Sequence, residues 1–165
     1  MHDDDDQHAP RGAGMDEWGG PAAPALTAAG HRAGGARRAV VELLARQDCC
    51  LTAQEIHEAL RAEGQRTGIA SVYRALDVLT DLRLVHRLDL GGGAARYEPA
   101  QPSGAHHHHL VCRGCGQVTP FADAALEDAI HGVAERLSHE VDEHEVVLRG
   151  WCAECRAEGR GAPPA

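Results

Sequence analysis

Residues 52–98, TAQEIHEALRAEGQRTGIASVYRALDVLTDLRLVHRLDLGGGAARYE, decide the fold. Thr52 and Glu55 stand at capping-box spacing, where each side chain satisfies a backbone amide that the first helical turn leaves unbonded. Behind them Ala53, Ile56, Ala59 and Leu60 share one helical face, and Gly64 supplies the stop. A further helix opens near Thr67-Gly68 and buries Val72, Ala75, Leu76 and Leu79. Arg74 and Asp77 lie opposite that stripe, and Tyr73 lies on its flank. The pattern then changes from helical to extended. Residues 84–88 and 95–98 predict two strands, joined by the flexible hairpin loop Asp89-Leu90-Gly91-Gly92-Gly93-Ala94.

Upstream, Val40, Leu43 and Leu44 recur at helical spacing from Ala36 onward, and Cys49-Cys50 closes that element. Three helices followed by a hairpin is the order of a winged helix-turn-helix, here placed over residues 31–99. Residues 1–30 are rich in Asp, Gly, Ala and Pro without apolar periodicity and read as a disordered acidic tail. Residues 100–105 read as a hinge or linker. Residues 106–156 form a second, smaller α/β unit. Its strands are expected at 109–112, 117–119 and 146–149, and its helix starts at Asp123 and carries Leu126, Ile130, Val133 and Leu137 on one face. Residues 157–165 read as a frayed tail. The fold class is α+β, and each unit is small enough to need a metal or a partner subunit beside its core.

The chain has 165 residues, six Cys, 12 His and a net charge of −9, and all 16 basic side chains are Arg. Residues 1–30 carry −5, residues 31–99 carry +1 and residues 100–165 carry −5. A basic footprint for nucleic acid is therefore confined to the middle segment, which argues against tight non-specific DNA binding but not against a specific reader. No apolar run is long enough for a membrane span, and the acidic start lacks the features of a signal peptide, so a cytoplasmic protein is expected.

Cys112-x-x-Cys115 and Cys152-x-x-Cys155 each present two sulfurs to one ion from a tight turn. Two such turns make a closed tetrahedral all-sulfur site, which favours structural Zn2+ and leaves no open position for catalysis. Two disulfides would conflict with a reducing compartment, and a redox dithiol needs one exposed pair rather than two. The run His106-His107-His108-His109 precedes an apolar strand. Extended backward, strand alternation sends His107 and His109 to one face and His106 and His108 to the other, offering two separate metal sites. His86, Glu98, Glu127 and His144 are further candidate ligands, each an ordinary residue when taken singly.

These motifs together resemble the ferric uptake regulator (Fur) family of metal-dependent bacterial repressors. The resemblance covers roughly residues 34–156. It rests on Thr52-Ala53-Gln54-Glu55-Ile56, on Ala70-Ser71-Val72-Tyr73-Arg74-Ala75-Leu76, on Leu84-Val85, and on the stretch from His106 to Gly116 with Cys152-x-x-Cys155. It implies a homodimer with a winged-helix domain and an α/β dimerisation domain. It implies structural Zn2+ on Cys112, Cys115, Cys152 and Cys155, a sensing site on His86, Glu98, His107 and His109, and an additional site on His106, His108, Glu127 and His144. Ser71, Tyr73 and Arg74 would meet a pseudo-palindromic double-stranded operator, and Arg96 would lie near the DNA beside the hairpin tip. The regulatory metal would be Zn2+, Fe2+ or Mn2+. Where iron- and peroxide-sensing members carry a His ligand, this sequence has Cys49-Cys50, so Cys50 is either a soft ligand or an inert buried thiol.

The function expected from the sequence is thus a metal-responsive transcriptional repressor that controls metal homeostasis genes and is not an enzyme. Three other readings compete. The first is a peroxide sensor acting through iron. The second is a metal-buffering protein, with the His run and Asp tail as storage. The third is a metalloenzyme, for which the chain offers no HExxH-like motif.

Overall fold

Thr52 forms the expected capping box. The Glu55 amide donates to Thr52 Oγ1 at 3.1 Å, and the Thr52 amide donates to Glu55 Oε2 at 2.7 Å. That box opens the central helix of the first of two compact units, residues 1–105 and 106–165, in the computed structural model of the chain. The structure describes residues 15–31, 34–47, 49–100 and 107–160.

The first unit runs α1 (Met15–Ala28), α2 (Gly35–Leu44), β1 (Leu51–Thr52), α3 (Ala53–Ala62), α4 (Ile69–Asp81), β2 (Val85–Leu88) and β3 (Arg96–Pro99). Its core is the set of apolar faces read from the sequence: Val40, Leu43 and Leu44 of α2, Ile56 and Leu60 of α3, and Val72, Ala75, Leu76 and Leu79 of α4. Val85 and Tyr97 of the hairpin join them. Gly64 ends α3 with φ 81°, a conformation a side chain would strain, and the Gln65 amide closes back on the Leu60 carbonyl at 2.9 Å. The three strands form an antiparallel sheet in the order β1-β3-β2. β1 is not visible in the sequence, because two residues are too few to show a period.

The expected disordered tail over residues 1–30 is corrected in part. Residues 1–14 lie outside the described residues, but Met15–Ala28 is helix α1. Trp18, Ala22 and Leu26, spaced by four, are all buried in the core. The Trp18 indole N–H donates to the Leu84 carbonyl at 2.7 Å, which ties α1 to the start of the hairpin. Gly19, Gly20, Pro21 and Pro24 make the segment look helix-breaking, but tertiary burial of the stripe overrides that weak local preference.

The second unit runs β4 (His108–Cys112), β5 (Val118–Phe121), α5 (Ala124–Arg136), β6 (Val147–Gly150) and α6 (Ala153–Ala157). The sheet order is β5-β4-β6, with β4 antiparallel to β5 and parallel to β6. Pro120 is accommodated because β5 is an edge strand, where a missing amide costs no internal ladder bond. Asp123 caps α5 through the Leu126 amide at 2.9 Å. The frayed tail expected at 157–165 begins later than read. Ala157 closes α6, and Gly159 at φ 73° lets the Arg160 amide reach the Cys155 carbonyl at 2.9 Å. Residues 161–165 lie outside the described set, as do linker residues 101–105. No described helix is long and apolar enough to cross a membrane.

Candidate metal centres

Parallel pairing of β4 with β6 builds the cysteine site. Cys112 is in register with Gly150, so both strands finish at the same end of the sheet and each hands its chain to a CxxC turn there. After β4 the turn closes with the Gly116 amide on the Cys112 carbonyl at 2.9 Å, which swings Cys115 back toward Cys112. After β6, Cys152 occupies the N-cap of α6. Its Sγ accepts the Cys155 amide at 3.4 Å, as a capping hydroxyl would. The four Sγ atoms all lie within 4.8 Å of one another, and Cys115 and Cys152 are 3.9 Å apart.

The surroundings favour thiolates. Cys112 Sγ accepts amide hydrogens from Cys152 at 3.3 Å and Gly114 at 3.4 Å. Donors of this kind, that of Cys152 foremost, lower its pKa to about 6. Cys155 is buried, and desolvation raises its thiol to about 12, so a cation is needed to make it a thiolate. Four sulfurs in a closed cluster, with backbone amides donating to Cys112 Sγ, fit structural Zn2+. Sequence reasoning missed Gly114. A Cβ there would lie 2.7 Å from Cys155 Sγ and 3.2 Å from Trp151 Cε3, so only glycine fits.

A second cluster lies in the same unit. His108, on β4, is 1% exposed. Its Nε2 is 2.7 Å from Glu127 Oε1 in the first turns of α5. The other carboxylate oxygen is 3.0 Å from Nε2 of His144, in the segment leading to β6. The imidazole centroids of His108 and His144 are 5.3 Å apart. Two imidazole nitrogens and one carboxylate within 4.8 Å of one another offer a nitrogen- and oxygen-donor set suited to Zn2+, Fe2+ or Mn2+. Three of the four ligands expected for the additional site are thus together, and His106 lies outside the described residues.

The expected sensing ligands fall as one pair in each unit. His86 of β2 and Glu98 of β3 are cross-strand partners and share a face of the hairpin. His107 and His109 share a side, with ring centroids 4.9 Å apart, while His108 faces the other way toward Glu127. The alternation read from the sequence therefore holds for these three histidines.

Helix α4 turns its apolar stripe inward and exposes Tyr73, at 49%, and Arg74. The Arg74 guanidinium donates to Ser71 Oγ at 3.0 Å, one helical turn back.

The sequence profile of the Ferric uptake regulator family matches residues 28–149. The chain belongs to that family. Among its Fur relatives, the ferric uptake regulation protein of Bacillus subtilis is 31% identical over 117 residues, covering 70% of this chain and 78% of that protein. The Vibrio cholerae ferric uptake regulator superposes with a TM-score of 0.70 at 32% identity, covering 78% of this chain and 98% of that one. The Helicobacter pylori Fur structure, described as revealing three functional metal binding sites, gives a TM-score of 0.75 at 27% identity, covering 86% and 93%. The Fur fold thus accounts for both units, and the four-cysteine cluster is consistent with a structural zinc site.

The Arg96 side chain is only 18% exposed and is engaged internally. Its Nη1 lies 3.2 Å from Glu55 Oε2 and 3.3 Å from the Cys50 carbonyl, so it braces the capping box of α3. A hint of this in the sequence is Glu55, an acid at the capping turn that can accept a second bond.

Proposed function

We propose that the protein is a cytoplasmic, metal-responsive transcriptional repressor that binds a pseudo-palindromic operator as a metal-loaded homodimer. The observation that carries this reading is helix α4, which keeps Val72, Ala75, Leu76 and Leu79 in the core while offering Ser71, Tyr73 and Arg74 outward. A helix so presented can lie in the major groove, with Arg74 on a phosphate or a guanine edge and Tyr73 against a thymine methyl. Membership of the Fur family supports the same reading. Dimerisation through the second unit is supported by its uncovered apolar surface. Leu110 and Leu148 are neighbours in register, 38% and 47% exposed, and Val133, Leu137 and Val141 are also exposed.

In this reading Cys112, Cys115, Cys152 and Cys155 hold structural Zn2+. His86, Glu98, His107 and His109 hold the regulatory ion, Zn2+, Fe2+ or Mn2+. His106, His108, Glu127 and His144 hold a further one. His86 and Glu98 precede the linker and His107 and His109 follow it, so one ion taking donors from both would fix the angle between reading head and dimer unit. Metal binding then raises operator affinity to the extent that it favours that arrangement.

The test is binding of the full-length protein to duplex DNA from its own promoter at buffered free Zn2+, Fe2+ and Mn2+. The expected result is sequence-specific binding that tightens with at least one of them. Binding that is indifferent to all three, or to DNA sequence, would overturn the reading.

A further inference from the structure

Arg61 and Arg66 are not used by any of the sites above. They border an open cavity of about 480 Å³ between α3 and the start of α4. Its walls include His57 and Arg61 of α3, Arg66 and Thr67 of the turn, and Gly68, the N-cap of α4. His57 and Arg61 are four residues apart and so share one side of α3. The acids of the same stretch are engaged elsewhere. Glu58 accepts from Gln54 Nε2 at 2.9 Å, and Glu63 accepts from the Arg46 guanidinium at 2.8 and 3.0 Å. Arg38, Arg96 and Arg160 likewise face carboxylates, whereas among the described residues no ion pair engages Arg61 or Arg66. Two uncompensated guanidinium groups on one cavity, in a chain of net charge −9, mark a place for an anion. Gly68 has φ −76°, which any residue adopts, and a Cβ there would meet nothing within 4 Å. The glycine is therefore not required by the turn, and it leaves the backbone beside the two arginines open to close approach.

We propose that this cavity seats one phosphodiester of the DNA backbone in each subunit, with Arg61 and Arg66 as its cationic partners. Planar guanidinium forks match phosphate oxygens two at a time, and the Thr67 hydroxyl and a ring N–H of His57 add neutral donors on the same walls. In the reading of α4 as the major-groove helix, on which this assignment rests, a phosphate held at its first residues fixes the depth and register at which Tyr73 and Arg74 meet the bases. The contact itself carries no base information, so it sets affinity and orientation while α4 discriminates. It uses no metal ligand, so it acts with or without the regulatory ion. A free phosphate ion offers the same chemistry, and the test separates the two sources.

The test is operator binding by the full-length protein across a salt series, with the activating metal among Zn2+, Fe2+ and Mn2+ held constant. In Arg61→Ala/Arg66→Ala the slope of log affinity against log salt should become shallower by about 1.8, which is about 0.9 for one phosphate in each of two subunits. The loss of affinity should be uniform across operator variants. Arg61→Lys/Arg66→Lys should keep most of the slope, and Arg136→Ala, an exposed position on α5, should leave it unchanged. Both arginines of the cavity are exposed, so circular dichroism of the double variant should match the wild type. An unchanged slope in the double variant, with wild-type protein that binds its operator, overturns the phosphate seat and leaves the repressor reading standing. Wild-type protein that binds no operator overturns both. Phosphorus NMR titration with inorganic phosphate reads the other source. Saturable binding of the free ion that the double variant loses, with the operator slope unaffected, gives the cavity to a free anion and also overturns the proposal.

Discussion

Gly114 lies so close to Cys155 that a methyl group on its Cα would sit 2.7 Å from the sulfur. The approach is imposed by the two CxxC turns closing over one another at the end of the β4–β6 pair. Gly114→Ala must therefore push Cys155 out of the cluster. Overpacking of this kind costs about 1–3 kcal/mol. The expected outcome is zinc held about ten- to a hundredfold more weakly, measured by competition with a chromogenic chelator. The mutant should still show the helix content of the first unit by circular dichroism.

Chelation should act unequally on the two units. The second unit buries few residues, among them Cys112, Cys155, His108 and His109, and α5 buries none. A small α/β unit with so little apolar core rests on its metal. Prolonged treatment with a strong chelator should abolish amide-exchange protection in β4 and β6 while leaving α2, α3 and α4 protected. Exchange read segment by segment checks this, and uniform loss of protection would contradict it.

Trp18 anchors α1 by both its ring and its indole N–H. Trp18→Ala should destabilise the first unit by about 3–5 kcal/mol. Trp18→Phe keeps the ring packing and removes the 2.7 Å bond to Leu84, so it should cost about 1 kcal/mol plus the misfit of the smaller ring. Thermal unfolding of both variants separates packing from hydrogen bonding.

Glu127 holds two imidazoles with one carboxylate, at 2.7 and 3.0 Å. Glu127→Ala should remove one ligand and the orientation of the other two. The expected outcome is loss of one metal equivalent by at least about tenfold in affinity, as for removal of an orienting partner. The zinc on the four cysteines should be untouched. Stoichiometry by elemental analysis after dialysis at graded free metal reads this directly.

Much of this architecture was legible because it is periodic. The stripe Val72, Ala75, Leu76, Leu79, the Thr52–Glu55 box and the paired cysteines each follow from local geometry that one sequence displays. Alternation of the His run was legible for the same reason. What could not be read depended on contacts distant in sequence. α1 is helical because Trp18 reaches Leu84, 66 residues away, and nothing between Gly19 and Pro24 announces it. Arg96 turns inward because Glu55, 41 residues earlier, already carries a capping bond and can take a second. Gly114 has the look of an ordinary turn glycine until the chain after β6 is seen to close over it.

Arg74 and Tyr73 project away from the core stripe of α4, so their removal should spare folding. Arg74→Ala should weaken operator binding by about 1–3 kcal/mol with thermal stability unchanged within about 0.5 kcal/mol. If Arg74 meets a phosphate, the loss will be uniform across operator variants; if it meets a guanine edge, discrimination at one base pair will relax.

The most direct test of metal-controlled operator binding compares the full-length protein with its His107→Ala/His109→Ala variant at buffered free metal. Metal should tighten wild-type binding about 5- to 150-fold. The variant should remain a folded dimer, keep the zinc on its four cysteines and bind at the metal-free level whatever the metal concentration. An equal metal response from the variant would contradict the claim that these histidines carry the regulatory ion.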